Sequence, residues 1–383
     1  MNATRRLHGF LSGADRLAAQ TRVRVRRLLP PRGPFIIAAY AGCGTRDSVL
    51  IQGRVLKDEA FAVPTPTDRS LRNLIELYKR LETDEVPDAG LRVRFAGLDE
   101  PVVGDADGYF SVELSLPAPL ERSGWHDAEI ELVSPAPALG ERVRADAPVL
   151  VPPPTARFGV VSDIDDTVVW TNVRNKLRML MLLIRSNAHT RKPFKGVAAF
   201  YRALVDGEGG GEGNPIFYVS GSPWNLYTPL VEFLRLQEIP AGPLLLRDFS
   251  KQALLSSRHQ QRHKRENIGC ILRRFPDLPF VLIGDSGEKD PEVYAEIVHA
   301  HPGRIRAIYI RSVNPDPGRV AAIDRLIDEV RHTGAQLVLA PDTEFAAVHA
   351  AAQGLIAPAS LAAIRADKRE DQDAPTIAGR ARI

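Results

Sequence analysis

The stretch Phe158-Gly159-Val160-Val161-Ser162-Asp163-Ile164-Asp165-Asp166-Thr167 decides how the chain is read. It opens as a short apolar, β-branched run, the pattern of a buried strand. It then places three carboxylates and a threonine within five residues. A sheet interior does not keep that many charges, because an unpaired polar group already costs about 2–7 kcal/mol to bury and an isolated carboxylate far more. The acids therefore belong just past the strand's C-terminal end, where open α/β sheets place their ligands. Asp163 and Asp165 are separated only by Ile164, and in extended backbone they share a face. Two such acids suit phosphoryl transfer: one carboxylate attacks phosphorus, and the other protonates the leaving oxygen and later deprotonates water. A divalent cation would let the anionic nucleophile approach an anionic phosphate. The competing reading is a calcium loop, which needs acid or Asn at positions 1, 3 and 5 and Gly at 6. Here those last two positions are Thr167 and Val168.

Working outward, 383 residues suggest two or three domains. The apolar and charged shares are those of a globular protein, and the net charge of +3 is ordinary. Cys43 and Cys270 make neither a disulfide framework nor a metal cluster, which points to a reducing cytosol. The N-terminus lacks an apolar run long enough for a signal peptide, and no segment approaches a membrane-spanning length. The expected location is cytoplasmic, with peripheral contact at the inner membrane face. Residues 1–33 form a basic arm with Arg5, Arg6, Arg16, Arg22, Arg24, Arg26, Arg27 and Arg32 against Asp15. It reads as a solvated helix or as an element drawn to an acidic surface.

Residues 34–150 read mostly as β. Strands are expected over 35–40, 48–55, 91–95, 109–114 and 129–133, with one helix over 71–80. Gly104-Asp105-Ala106-Asp107-Gly108 is a turn, and Asp105 and Asp107 read as turn formers. The segment resembles a small β-sandwich of the transthyretin-like type. Pro152-Pro153-Pro154 marks a linker over 151–156. From 157 to 366, strands at Val160, 215–220, 244–247, 280–284, 305–310 and 336–339 alternate with helical patterns over 224–237, 265–275, 291–300 and 319–332. That alternation predicts an α/β fold with a parallel sheet and helices on both faces. The charged end, 367–383, is expected to be disordered.

Three further clusters carry chemistry, two of them at expected strand ends and one just before an expected helix. Ser220-Gly221-Ser222-Pro223-Trp224-Asn225 follows an apolar strand, so the Ser hydroxyl and backbone N–H groups would bind an anion. Gly284-Asp285-Ser286-Gly287-Glu288-Lys289-Asp290 follows another, placing Asp285 as a metal ligand. Asp290 either caps the helix that begins at Pro291 or supports a ligand or lysine. Arg262-His263-Lys264-Arg265 offers cations that would steady a phosphate, or a solvated basic face.

Together these residues resemble the haloacid-dehalogenase superfamily. Within it they look like the catalytic domain of the Mg²⁺-dependent phosphatidate phosphatases of the actin-patch-protein type. That family usually has Gln where this chain has Glu288. The resemblance implies a haloacid-dehalogenase-like fold preceded by the sandwich-like domain, and hydrolysis of phosphatidate to diacylglycerol and phosphate. It implies Asp163 as nucleophile and metal ligand, and Asp165 as acid/base and metal ligand. Asp285 and Asp290 complete the Mg²⁺ shell. Ser220 and Lys264 would hold the transferring phosphoryl group, with Thr167 and Gly221 positioning it and Asp166 ordering the loop.

Between the first two clusters, residues 171–204 contain no acid. Leu177, Leu180, Met181 and Ile184 fall at helical spacing, flanked by Arg174, Lys176, Arg178 and Arg185. Such a cap insertion would lie on an anionic bilayer and admit a lipid phosphate, or pack on the catalytic domain with its cations solvated. Three functional readings stand at this point: a phosphatase for a phospholipid, the same chemistry on a soluble sugar phosphate or nucleotide, and a non-catalytic lipid- or protein-binding scaffold. Nucleic acid is not an expected partner, because no aromatics interleave with the basic stretches.

Overall fold

A computed structural model describes residues 34–57, 85–137, 141–164, 196–247, 257–313 and 316–373. The expected basic arm, the 71–80 helix, most of the cap insertion with Arg174, Lys176, Arg178 and Arg185, and the loop residues Asp165, Asp166 and Thr167 lie outside the described residues.

Seven strands build the N-terminal region: β1 (Phe35–Gly44), β2 (Ser48–Lys57), β3 (Gly90–Phe95), β4 (Leu98–Val103), β5 (Tyr109–Ser115), β6 (Gly124–Ser134) and β7 (Arg144–Val151). They form one continuous mixed sheet in the order β4-β3-β6-β7-β1-β2-β5 rather than the two separate sheets of a sandwich. The sheet folds back on itself. Its two edge strands, β4 and β5, are consecutive in the chain, joined through the turn at 104–108, where Asp105 N donates to Tyr109 O at 2.7 Å. Ile51, Val55, Val93, Ile130 and Val149 meet inside the curl. Asp105 acts as a turn former, its Oδ1 accepting from Asp107 N and Tyr109 N at 2.9 Å each. β4 carries Asp99, Glu100 and Pro101, a composition that hides a strand from pattern reading and suits an edge.

The second region holds a six-stranded parallel sheet: β8 (Gly159–Asp163), β9 (Ile216–Pro223), β10 (Leu244–Arg247), β11 (Phe280–Asp285), β12 (Ile305–Arg311) and β13 (Gln336–Ala340), in the order β10-β9-β8-β11-β12-β13. One face is covered by α1 (Val197–Asp206), α2 (Tyr227–Leu236), α6 (Thr343–Ala352) and α7 (Ser360–Asp373). The other is covered by α3 (Ser257–Arg274), α4 (Asp290–Ala300) and α5 (Pro317–Arg331). β8 alternates between the two: Val160 packs into the first core and Val161 into the second. By the same period of two, Asp163 leaves the sheet on the α3 and α4 side.

Two expectations are corrected here. Residues 197–204, counted with the cap insertion, belong to α1, whose Phe200 and Leu204 are buried in the core, so this part packs on the sheet. Of residues 367–383, expected to be disordered, 374–383 lie outside the described residues, and 367–373 end a helix that runs to Asp373. There Lys368 reaches Asp342 at 2.8 Å and Glu344 at 3.0 Å, and Asp367 accepts from Ala199 N at 3.2 Å.

Candidate active site

The chain runs from β8 outward through β9 to β10, then returns to the other side of β8 with β11. The crevice beyond the C-terminal ends of β8 and β11 is therefore the switch point at which such sheets bind ligands. Register brings the clusters together. Asp163 pairs with Val219, so Ser220 lies one residue further along β9. Ser162 pairs with Ile283, so Asp163 lies beside Gly284 with Asp285 next.

Lys264 projects from α3 into this crevice and is almost fully buried. Its Nζ lies 3.0 Å from Asp163 Oδ1 and 3.2 Å from Glu288 Oε2, and it makes a short contact with Asp290 Oδ1. Burial alone would lower the lysine's pKa. The carboxylates of Asp163, Asp290 and Glu288 more than reverse that, so it is held well above its ordinary value and stays an ammonium. Burial pushes Asp290 up, with Lys264 opposing the rise.

Asp290 is 1% exposed and uses both oxygens: Oδ1 faces Lys264, and Oδ2 accepts from the backbone N–H of Asp285 at 3.2 Å. This approach is possible because residue 284 is glycine. A Cβ there would sit 2.3 Å from Asp290 Oδ2. Asp285 Oδ1 accepts from Gly287 N at 2.7 Å and Glu288 N at 3.1 Å, which fixes the acid at the head of its loop. On β9, Ser222 N donates to Ser220 Oγ at 2.9 Å, closing a small turn around Gly221.

The acids suit a divalent cation. Carboxylate oxygens of Asp163, Asp285 and Asp290 all lie within 4.8 Å of one another, and oxygen donors in that number match the hard ligands Mg²⁺ takes. With Glu288 they outnumber the one ammonium among them.

Arg319 on α5 was not legible in the sequence. Its guanidinium donates to the carbonyls of Ser286 at 2.9 Å and Glu288 at 2.6 Å and pairs with Glu292, so it staples the loop that carries Asp285 and Asp290. Nothing in its spacing points back to that loop. Glu288, at the position where the family usually has Gln, touches the site lysine. A small cleft of about 70 Å³ opens beside the acids, lined by Asp163, Ile164, Phe200, Tyr201, Asp285 and Arg311 among others. Tyr201 in its wall exchanges a 2.6 Å hydrogen bond with Ser162, and burial pushes its hydroxyl up to about 12.

Residues 158–312 match the family model described as "Phosphatidate phosphatase APP1, catalytic domain". This segment is similar to the APP1-type catalytic domain. Two curated relatives are similar to parts of the chain. Phosphatidate phosphatase APP1 of Saccharomyces cerevisiae is 31% identical over 177 residues, covering 46% of this chain and 29% of the yeast protein. An uncharacterized protein of Schizosaccharomyces pombe is 28% identical over 221 residues, 56% of this chain and 35% of its own length. The chain thus spans about a third of the length of these relatives. Among solved structures, XAC1771, a carbohydrate acetylesterase from Xanthomonas citri, is 15% identical and covers 80% of this chain and 75% of its own, with a TM-score of 0.27 that carries no statement about fold. The Asp163, Ser220 and Asp285 clusters fall within the matched segment, and the N-terminal sheet lies outside it. No helix among the described residues is long and apolar enough to cross a membrane.

Proposed function

We propose that the chain is a Mg²⁺-dependent phosphomonoester hydrolase that converts phosphatidate to diacylglycerol and phosphate, on a haloacid-dehalogenase-like domain. The observation that carries the reading is Lys264 buried against Asp163 at the sheet's switch point, inside the segment that matches the APP1 catalytic domain. In this reading Asp163 attacks phosphorus and the bond to the glyceryl oxygen breaks, leaving an aspartyl-phosphate. Asp165, in the role the resemblance implies, gives its proton to the departing oxygen. It then takes a proton from the water that attacks the same phosphorus and frees Asp163. Lys264 offsets the charge spread over the equatorial oxygens, and Asp290 keeps it aimed. Ser220 and Gly221, with Thr167, position the phosphoryl group. Asp163, Asp165, Asp285 and Asp290 would hold Mg²⁺, whose charge when bound lets an anionic nucleophile meet an anionic substrate. The mostly apolar cleft beside Asp163 favours a glyceryl ester over a sugar phosphate as leaving group. Access to that lipid would come from peripheral attachment to an anionic surface through the basic arm and Arg174, Lys176, Arg178 and Arg185.

The test is phosphate release from phosphatidate in mixed micelles, with and without Mg²⁺, beside an aryl phosphate, for wild type and Asp163→Asn. Metal-dependent release from phosphatidate, lost in the variant, is the expected result. Release from the aryl phosphate alone would move the substrate to a soluble phosphomonoester, and release from neither would favour the scaffold. Arg174→Glu, Arg178→Glu and Arg185→Glu together should abolish binding to anionic vesicles while sparing aryl phosphate turnover; unchanged vesicle binding would remove the surface-attachment step.

A further inference from the structure

The Ser220 turn is followed at once by residues whose side chains reach across to the N-terminal sheet. β9 ends at Pro223, and the next turn, Trp224–Leu226, leads into α2. Three side chains within four positions cross to the N-terminal sheet. The Trp224 ring stacks on Tyr40, with centroids 4.2 Å apart and planes 17° from parallel. Asn225 Oδ1 accepts from an Arg54 Nη at 3.3 Å. Tyr227 OH accepts from the backbone N–H of Ala41 at 2.6 Å, and its ring lies 4.7 Å from that of Tyr40.

The sheet is shaped for this contact. β1 pairs Tyr40 with Gln52 but Cys43 with Leu50, so three steps on β1 match two on β2 and a bulge falls at Ala41 and Gly42. A bulge re-aims a strand and takes an N–H out of the ladder, and the N–H of Ala41 is the one that meets Tyr227. Arg54 is 7% exposed and is held by its own domain before it reaches Asn225. Its Nε donates to Asp107 O at 2.9 Å, an Nη pairs with Glu85 at 3.0 Å, and its guanidinium lies 4.2 Å from the Tyr109 ring centroid. A guanidinium fixed on three sides presents its remaining donor without paying further side-chain entropy.

We propose that the N-terminal sheet is a working part of the phosphate site: Arg54 and Tyr40 are positioning residues that hold the Trp224–Leu226 turn, and through it the Ser220-Gly221-Ser222 turn that grips the phosphoryl group. The inference rests on the reading that Ser220 contacts that group. It gives the sheet a role that its lack of catalytic clusters left unassigned. It also accounts for Trp224 and Asn225, for which the chemistry itself has no use. Displacement of about 1 Å at a reacting geometry costs on the order of 10²-fold, so modest slackening of the turn should be measurable.

The experiment uses the full chain and an aryl phosphate with Mg²⁺, reading kcat, KM, inhibition by inorganic phosphate, and Tm for each variant. Arg54→Ala should raise KM and the phosphate inhibition constant about tenfold, equivalent to about 1.4 kcal/mol, and Arg54→Lys should recover part of the loss. Asn225→Ala should match Arg54→Ala, and the double variant should be no worse than either. The control is Arg274→Ala, which breaks a different contact between the two regions, the 3.1 Å pair with Glu113. It should leave KM and phosphate inhibition unchanged. If Arg54→Ala does not fold, Asn225→Ala carries the test alone. Folded Arg54→Ala or Asn225→Ala with wild-type KM and phosphate inhibition would overturn the proposal. So would an equal effect from Arg274→Ala, which would reduce the contact to general domain docking. No turnover by the wild type itself would overturn the phosphatase reading beneath it, a distinguishable failure.

Discussion

Gly284→Ala is a one-carbon perturbation that tests whether Asp290 organises the site. A Cβ at 284 would lie 2.3 Å from Asp290 Oδ2 and 2.8 Å from its Cβ and Cγ. Carbon contacts settle near about 3.5–4.0 Å, so the carboxylate must retreat by about 1 Å. It has nowhere easy to go: Asp290 is fully buried, begins α4, and is engaged through both oxygens. Overpacking of this kind costs about 1–3 kcal/mol of stability, and in a chain of this size that is a fall of a few degrees in Tm, at roughly 2–4 °C per kcal/mol. The catalytic loss should be larger in proportion. Moving Asp290 releases Lys264 and the Asp285 backbone together, and a misplacement of about 1 Å costs on the order of 10² in rate. Aryl phosphate turnover by Gly284→Ala at saturating Mg²⁺, with Tm measured in parallel, reads both. A variant that loses the degrees but keeps kcat within threefold of wild type would refute the idea that Asp290 acts by aiming Lys264 and Asp285.

Arg319→Ala should lower kcat about tenfold by freeing the Ser286–Glu292 loop, with Arg319→Lys little better because the paired carbonyl contacts need a planar fork; steady-state kinetics read it, and full activity in Arg319→Lys would contradict it. Glu288→Gln should tighten substrate binding, since it removes a competing anion 3.2 Å from Lys264. Because Glu288 is over a third exposed, the gain is held to about 1 kcal/mol or less, up to about fivefold in KM. Mg²⁺ should raise Tm, since a ligand at about 100 times its Kd stabilises by about 2.7 kcal/mol, and Asp285→Asn should erase that shift in scanning calorimetry; an equal shift in the variant would place the cation elsewhere.

Much of the catalytic domain was legible because parallel strands buried on both faces read as continuous apolar runs. The runs at 280–284 and 305–310 fall within β11 and β12, each one residue longer in the structure, and 244–247 coincides with β10. The site was legible where chemistry-bearing residues follow such runs, as Asp163, Ser220 and Asp285 do. The residues that were missed act at long range. Arg319 reaches back some thirty residues to backbone carbonyls, which carry no sequence signature. Arg54 reaches Asn225 across 171 positions. In the N-terminal region β4 was hidden by its edge composition, and the closure of seven strands into one sheet depends on pairings between distant segments, such as β1 with β7, that local alternation does not reveal. Residues 197–204 were counted with a cap insertion left open between bilayer and core, because a cationic, apolar stretch looks alike whichever it meets.

The central claim is that Asp163 becomes phosphorylated. Enzyme turning over phosphatidate with Mg²⁺ would be quenched with borohydride, which reduces an acyl phosphate to the alcohol, then digested and analysed by mass spectrometry. The account predicts homoserine at position 163, dependent on both substrate and Mg²⁺ and absent without either. Sustained turnover with Asp163 unmodified, or reduction at another carboxylate, would contradict it.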